Sequence, residues 1–190
     1  MTARRVSDAI LPTGWGEFDA VAFRDDASNE HLALCVGLDA ETGRFVGDDP
    51  VLVRLHSECL TGDIFGSKRC DCQAQLHAAL EQVQCSRRGV VLYLRGHEGR
   101  GIGLAAKISA YRLQDGGLDT YDANEALGFP ADARDFSAAA DVLGLLGIDR
   151  VQLITNNPHK ADALRAAGLD VAGRVPALSE PTEQNAFYLR

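Results

Sequence analysis

Val151-Gln-Leu-Ile-Thr-Asn-Asn-Pro-His-Lys-Ala-Asp-Ala-Leu-Arg-Ala-Ala-Gly168 is the stretch whose reading decides the fold. Val151–Thr155 is a short apolar run of strand type. Pro158 fits the first position of a helix, which runs through Ala167 and stops at Gly168. A strand passing straight into a helix is the repeating unit of α/β folds. Working back along the chain, Ser137 is the expected N-cap of a helix that runs to Leu146 and stops at Gly147. Gly89-Val-Val-Leu-Tyr-Leu94 reads as a buried strand. Ile102 to Gln114 reads as a helix stopped by Gly116-Gly117. Leu76, Ala79, Leu80 and Val83 recur at helical spacing after Cys72. Before them, His31–Gly37 and Pro50–His56 are short alternating or apolar runs, as strands are. The expected fold is α/β: a mixed sheet flanked by helices, with a β-rich N-terminal portion. No repeat or low-complexity linker interrupts residues 1–190, so a single domain is expected.

Bulk composition narrows the function. The formal charge of −8 over 190 residues leaves no basic surplus to displace counterions, which excludes a general nucleic-acid binder. An anionic small substrate needs only a local cluster of Arg and Lys. The apolar runs are too short for a membrane helix. The N-terminus, Met-Thr-Ala-Arg-Arg-Val-Ser-Asp, lacks the apolar core of a signal peptide. Five cysteines are an odd number. Together these features lead us to expect a cytoplasmic protein with no membrane contact.

Three of those cysteines, Cys59, Cys70 and Cys72, fall in one short stretch. Three thiolates suit zinc, and three ligands leave one position open for water, as in catalytic sites. His56 could replace one thiolate. The same spacing also fits ordinary reduced cysteines, since C-x-C with a third Cys upstream is a loose pattern. Cys35 and Cys85 have no spaced partner. Glu58 and Asp71, beside the cysteines, are either supporting groups or solvated charges.

Other segments carry candidate chemistry. Leu94-Arg-Gly-His-Glu-Gly-Arg-Gly-Ile-Gly-Leu104 is a glycine-rich turn between a strand and a helix. It matches neither the dinucleotide-binding nor the P-loop pattern. It is an anion-binding turn or a tight surface turn. At Thr155-Asn-Asn-Pro-His-Lys160, Thr155 can cap or bind phosphate. Lys160 opposes the helix dipole unless an anion sits there; otherwise it is a solvated lysine. Asp132-Ala-Arg134-Asp135 offers a base and an anion-binding group, or a capping cluster. Tyr111 lies on the helix after the glycine-rich turn. Ile102, Leu104, Ala105 and Ile108 are the expected core stripe of that helix, with Tyr111 close to it.

In order along the chain stand Arg54-Leu-His-Ser-Glu-Cys-Leu-Thr-Gly-Asp63, Gly66-Ser-Lys-Arg-Cys-Asp-Cys72, Arg95–Leu104, Asp119-Thr120, Gly128-Phe-Pro-Ala-Asp-Ala-Arg-Asp135 and Thr155–Lys160. From about Leu11 to Tyr188 the chain resembles the GTP cyclohydrolase II family of riboflavin biosynthesis. The resemblance implies one zinc per chain on Cys59, Cys70 and Cys72, and Mg2+ with the triphosphate. It implies GTP contacts at Arg54, Leu55, His56, Ser57, Glu58, Gln75, Glu98, Gly99, Arg100, Thr120, Thr155 and Lys160. It makes Asp132 a proton acceptor, Arg134 a proposed nucleophile and Tyr111 a residue needed for turnover. It also implies a homodimer. The implied reaction converts GTP and water to 2,5-diamino-6-ribosylamino-4(3H)-pyrimidinone 5′-phosphate, formate and diphosphate.

Two departures from the family pattern stand out. Gln73 follows the cysteine pair where the family usually has Gly, and could crowd the loop. The chain also ends at Arg190, where relatives often continue with a basic tail, and it shows no dihydroxybutanone-phosphate synthase half. Two other readings stand beside this one: a related cyclohydrolase that keeps the formyl group, and a non-catalytic nucleotide-binding or zinc-stabilised paralogue.

Overall fold

The structure, a computed structural model, describes residues 3–177. They fall into two compact units. The first holds the residues through His56, His77–Leu94 and those from Phe136 onward; the second holds Ser57–Leu76 and Arg95–Asp135.

The first unit is built on a seven-stranded sheet. Its strands are β1 (Ala3–Thr13), β2 (Gly16–Asp25), β3 (Glu30–Val36), β4 (Val51–Ser57), β5 (Gly89–Leu94), β6 (Arg150–Ile154) and β7 (Asp170–Val175), in the order β1-β2-β3-β5-β4-β6-β7. β1, β2, β3 and β5 pair antiparallel, while β4, β6 and β7 pair parallel. The sheet is therefore mixed, with its antiparallel part N-terminal, as expected. Parallel strands need crossover helices, and two are α6 (Ser137–Leu145) and α7 (Pro158–Ala166). Ala139, Val142 and Leu143 of α6, and Ala161 and Leu164 of α7, join Val53, Leu55, Leu92, Val151 and Leu153 in one buried core. Earlier in the chain, α2 (Cys72–Ser86) buries Ala79, Leu80 and Val83, three of the four residues that mark it in sequence.

Some expectations shift. The hairpin of β1 and β2 turns at Gly14-Trp15, where the Thr13 hydroxyl donates to the Gly16 carbonyl (2.7 Å) and accepts from the Trp15 N–H (3.2 Å). Most of β1 is exposed, so it has no apolar alternation to betray it. Phe136, not Ser137, holds the N-cap position of α6 and makes no side-chain cap; Ser137 is already helical. In α7 the cap is Asn157, whose Oδ1 accepts the His159 N–H at 2.9 Å, and Pro158 stands at the first turn.

In the second unit, short helices α1 (Leu60–Asp63), α3 (Glu98–Gly101) and α5 (Thr120–Ala126) accompany the longer α4 (Leu104–Asp115). The helix expected over 102–114 is broken at Gly103, which takes φ of 85°. Inside α3, Gly99 (φ 61°) and Arg100 (φ 64°) are left-handed. Left-handed backbone is uncommon for a non-glycine residue such as Arg100. The expected core stripe of α4 is also corrected. Leu104 and Ile108 are 41% and 50% exposed, and the buried residues are Lys107 and Ala110. Lys107 goes inward because a carboxylate waits for it, as described below. No helix among the described residues is long and apolar enough to cross a membrane.

Candidate functional site

Cys59 occupies the N-cap position of α1, Cys70 lies in the following loop, and Cys72 opens α2. Their three sulfurs lie within 4.8 Å of one another. Zinc–sulfur bonds of about 2.3 Å at tetrahedral angles put sulfurs about 3.8 Å apart. The Cys59–Cys70 sulfur separation is 3.7 Å. Gly62 makes this approach feasible. A Cβ there would stand 2.7 Å from Cys70 Sγ, 3.0 Å from Cys59 Sγ and 3.0 Å from Cys72 Cβ. The group fits a metal ion, and these three residues would hold it.

Backbone and side chains around Cys59 fix it in place. The Asp63 carboxylate accepts the Cys59 N–H at 3.0 Å, and Glu98 Oε2 accepts the Leu60 N–H at 2.7 Å. Lys107 Nζ lies 3.0 Å from Cys59 Sγ and 2.5 Å from Glu98 Oε1. Hydrogen bonds from Cys70 and Cys72, reinforced by Lys107, hold the Cys59 thiol well below the ordinary thiol value in spite of burial. The same sharing pushes Cys70 up to about 11 and raises Cys72 too. Burial alone would depress Lys107, but its bonds to Glu98 and Cys59 outweigh that and raise it. Gln73 does not crowd the loop; its amide donates to the Asp63 carbonyl at 3.1 Å and braces it. Asp71 is buried and accepts from Gln75 at 2.6 Å, so it is a supporting group rather than a solvated charge.

Other residues singled out in sequence lie in the same unit. Tyr111 places its hydroxyl 3.2 Å from Thr61 Oγ1, which is 3.8 Å from Cys59 Sγ. Burial raises the phenol's pKa against the lowering effect of Thr61, so the hydroxyl stays protonated at neutral pH and is able to donate. Glu58 Oε1 accepts the Gly96 N–H, and Arg95 lies 3.5 Å from its other oxygen. Ser57 Oγ meets His97 Nδ1 at 3.1 Å, and His97 Nε2 donates to the Asp135 carbonyl at 3.0 Å. The Ala133 N–H donates to the Arg100 carbonyl at 2.9 Å, tying the Asp132–Asp135 loop to the glycine-rich turn. In that loop Arg134 grips the Asp132 carboxylate through both Nε (2.9 Å) and Nη2 (2.5 Å). Burial pushes the Asp132 carboxyl up, but the Arg134 bonds win and hold it below the usual carboxylate range. Thr120 starts α5, which Asp119 caps by accepting the Asp122 N–H at 2.8 Å. Arg100 lies over the Tyr121 ring, 4.1 Å from its centroid.

In the first unit the predicted residues gather at the C-terminal ends of β4 and β6. Lys160 is buried, and its ammonium donates to the Leu55 carbonyl at 2.7 Å, so it is not a solvated lysine. Buried Arg54 donates to the Ile154 carbonyl at 3.2 Å. His56 stacks on Tyr93, with ring centroids 5.4 Å apart. Leu55 has its side chain in the core, which leaves only its backbone for a ligand. Thr155 does not cap α7; its hydroxyl accepts the Asn157 N–H at 3.0 Å and shapes the turn. The crevice at the C-terminal ends of parallel strands is the usual ligand position in α/β sheets.

Spacing and composition do not single out Lys107, Asp63, Gly62, Thr61 or His97. The one signal for Lys107 is a lysine at the centre of an otherwise apolar helical repeat. Gly62 and Asp63 fall inside the first cysteine motif, but nothing in spacing distinguishes them.

The chain combines a mixed α/β sheet with a three-cysteine cluster of a kind able to hold a metal ion. Residues 4–176 match the model of the family described as GTP cyclohydrolase II. The chain belongs to that family, a family of hydrolases. It is 55% identical over 186 residues to the riboflavin biosynthesis protein RibBA of Salinispora arenicola, covering 97% of this chain and 43% of that protein. It is 50% identical over 190 residues to the GTP cyclohydrolase-2 of Teredinibacter turnerae, covering all of this chain and 92% of that protein. Against RibBA relatives, then, the chain spans somewhat under half their length. A solved two-domain 3,4-dihydroxy-2-butanone 4-phosphate synthase, RibBX from A. baumannii, aligns with 95% of this chain and 41% of its own. Its TM-score of 0.46 and 17% identity are too loose a likeness to argue from.

Proposed function

We propose that this chain is a zinc-dependent GTP cyclohydrolase II acting in riboflavin biosynthesis. Its products would be 2,5-diamino-6-ribosylamino-4(3H)-pyrimidinone 5′-phosphate, formate and diphosphate. The observation that carries the proposal is the Cys59–Cys70–Cys72 cluster, all three sulfurs within 4.8 Å and the Cys59–Cys70 pair at 3.7 Å, in a chain of this family. Zinc held there supplies Lewis acidity and an acidified water for opening the guanine imidazole ring at C8.

The chain's own groups do the rest. The Tyr111 hydroxyl, protonated and close to the cysteines, donates to the formamide oxygen left by ring opening, which prepares it for loss of formate. Arg134 serves the phosphates electrostatically, since a guanidinium that stays protonated is a poor nucleophile. While Arg134 grips it, Asp132 is a weak base. When the guanidinium turns to the phosphates, Asp132 is released as proton acceptor. Lys160 adds positive charge for the triphosphate, which arrives with Mg2+. The GTP-contacting set is Arg54, Leu55 through its backbone, His56, Ser57, Glu58, Gln75, Glu98, Gly99, Arg100, Thr120, Thr155 and Lys160. A homodimer in the cytoplasm completes the proposal.

The test is incubation of zinc-loaded protein with GTP and Mg2+, with formate and diphosphate assayed and product mass measured. One formate and one diphosphate per GTP are expected. A product that keeps the formyl group would replace this reading with a formyl-retaining cyclohydrolase. No turnover by metal-loaded protein would replace it with a nucleotide-binding paralogue.

A further inference from the structure

Lys107 and Glu98 form a buried ion pair in the second unit, and the two other side-chain hydrogen bonds they make end at Cys59 and the residue after it. The Lys107 and Glu98 side chains are 10% and 9% exposed. Taking two charges out of water is costly, and a buried pair contributes little net stability by itself. The pair's importance therefore lies in what else it holds. Glu98 Oε2 fixes the Leu60 N–H at 2.7 Å, while Lys107 Nζ meets Cys59 Sγ at 3.0 Å. An ammonium has donors only, so the sulfur is the acceptor. The Tyr111 ring, with its centroid 5.7 Å from the same nitrogen, lies on another side of the ammonium. The left-handed turn at Gly99 brings Glu98 back toward Lys107; a Cβ at Gly99 would stand 3.0 Å from Lys107 Cβ.

We propose that Lys107 is a positioning residue for the metal: clamped by Glu98 against Cys59 Sγ, it orients that ligand and balances the site's charge. The inference rests on the three-thiolate zinc reading above. Three thiolates and a dication leave one net negative charge. In a partly buried site that charge is unfavourable unless a cation stands beside it. Lys107 supplies the cation at hydrogen-bond distance from the one cysteine whose backbone is also held at both its own and the next N–H. Groups that hydrogen-bond metal ligands generally matter about 10–100-fold in metal affinity.

The experiment compares wild type, Glu98→Gln, Lys107→Gln, and the double variant Glu98→Gln with Lys107→Met. The double variant removes both charges and leaves no unpaired carboxylate. Zinc affinity is measured by competition with a chromophoric chelator. The sulfur-to-metal charge-transfer band is recorded on Co(II)-loaded protein. Both Lys107 variants should bind zinc about 10–100-fold more weakly. Their band should move to lower energy, because Cys59 donates more electron density to the metal once the ammonium is gone. Glu98→Gln, which keeps the ammonium but weakens its clamp, should move affinity and band in the same direction by less than the Lys107 variants; a shift equal to or larger than theirs overturns the assignment to Lys107. A Lys107→Gln or double variant with wild-type affinity and an unmoved band overturns the inference. If wild type itself binds neither ion, the zinc reading fails instead, so the two failures are distinguishable.

Discussion

Gly62→Ala should disable the three-cysteine site with little change to the rest of the chain. Gly62 has no positive φ, so alanine meets no backbone strain, and in a helix it is favoured by up to about 1 kcal/mol over glycine. The obstacle is space. The new Cβ would stand 2.7 Å from Cys70 Sγ, 3.0 Å from Cys59 Sγ and 3.0 Å from Cys72 Cβ. Comfortable carbon contacts lie at about 3.5–4.0 Å, so each neighbour must retreat by roughly 0.5–1 Å. Overpacking of this kind costs about 1–3 kcal/mol, which the helix propensity only partly offsets. The metal is less forgiving than the fold, since ligand distances must hold to about 0.2 Å. Zinc content after dialysis against a mild chelator should fall to a small fraction of wild type, and GTP turnover should fall with it. The thermal midpoint of metal-free protein should drop by only a few degrees. Gly144→Ala is the control: it lies in α6, where a Cβ would meet nothing within 4 Å, and should be neutral or slightly stabilising. Full zinc and full turnover in Gly62→Ala would show that the sulfurs do not need their observed separation.

Three further outcomes are expected. Tyr111→Phe should keep zinc and fold but stall turnover with a formylated product, read by mass spectrometry; normal formate release would strip Tyr111 of its role. Lys160→Ala should mainly weaken GTP binding and Arg134→Ala should mainly lower turnover, so kcat and KM separate them; unchanged diphosphate release in Arg134→Ala would exclude its catalytic part. Burial pushes the Asp25 carboxyl up, but bonds from the Asn29 side chain and N–H and the nearby His31 lower it on balance. Its contribution is therefore complete above the unfolded value of about 3.9 and is lost as pH falls through the lower folded value. Denaturant titrations across that acid range should show a shallower loss of stability in Asp25→Asn; an identical slope would remove Asp25 from the acid response.

How much of the fold is legible in sequence follows from what a spacing can encode. Gly89–Leu94 is readable because a central strand buried on both faces is a nearly continuous apolar run, and Arg150–Ile154 because its buried Val151, Leu153 and Ile154 are interleaved with exposed Arg150 and Gln152. The α7 start is readable because Pro158 is a rigid local signal, although the cap falls to Asn157. β1 is not readable, because its residues face solvent at nearly every position. α4 misleads for the opposite reason. Its apolar residues follow a helical period, yet Leu104 and Ile108 are exposed and Lys107 is inside. A period of hydrophobicity assumes that burial follows apolarity. That assumption fails where an ion pair and a thiol make a more specific demand.

The cysteines show the same limit from the other side. Cys59, Cys70 and Cys72 are visible at once, but their spacing leaves a metal site and three reduced thiols equally open. The residues that bring the sulfurs together are not ligands. Gly62 leaves the space, Asp63 and Glu98 hold two successive N–H groups, and Lys107 meets the sulfur of Cys59. Each is ordinary in sequence: a glycine, two acids and a lysine among many. Their meaning depends on the fold bringing Cys59 and Lys107, 48 residues apart, within hydrogen-bond distance. A ligand motif therefore names the atoms that can bind, and the surrounding shell decides whether they are placed to do so. On the zinc reading proposed above, removing the Lys107 cation or filling the space at Gly62 should be felt at the metal before it is felt in the fold.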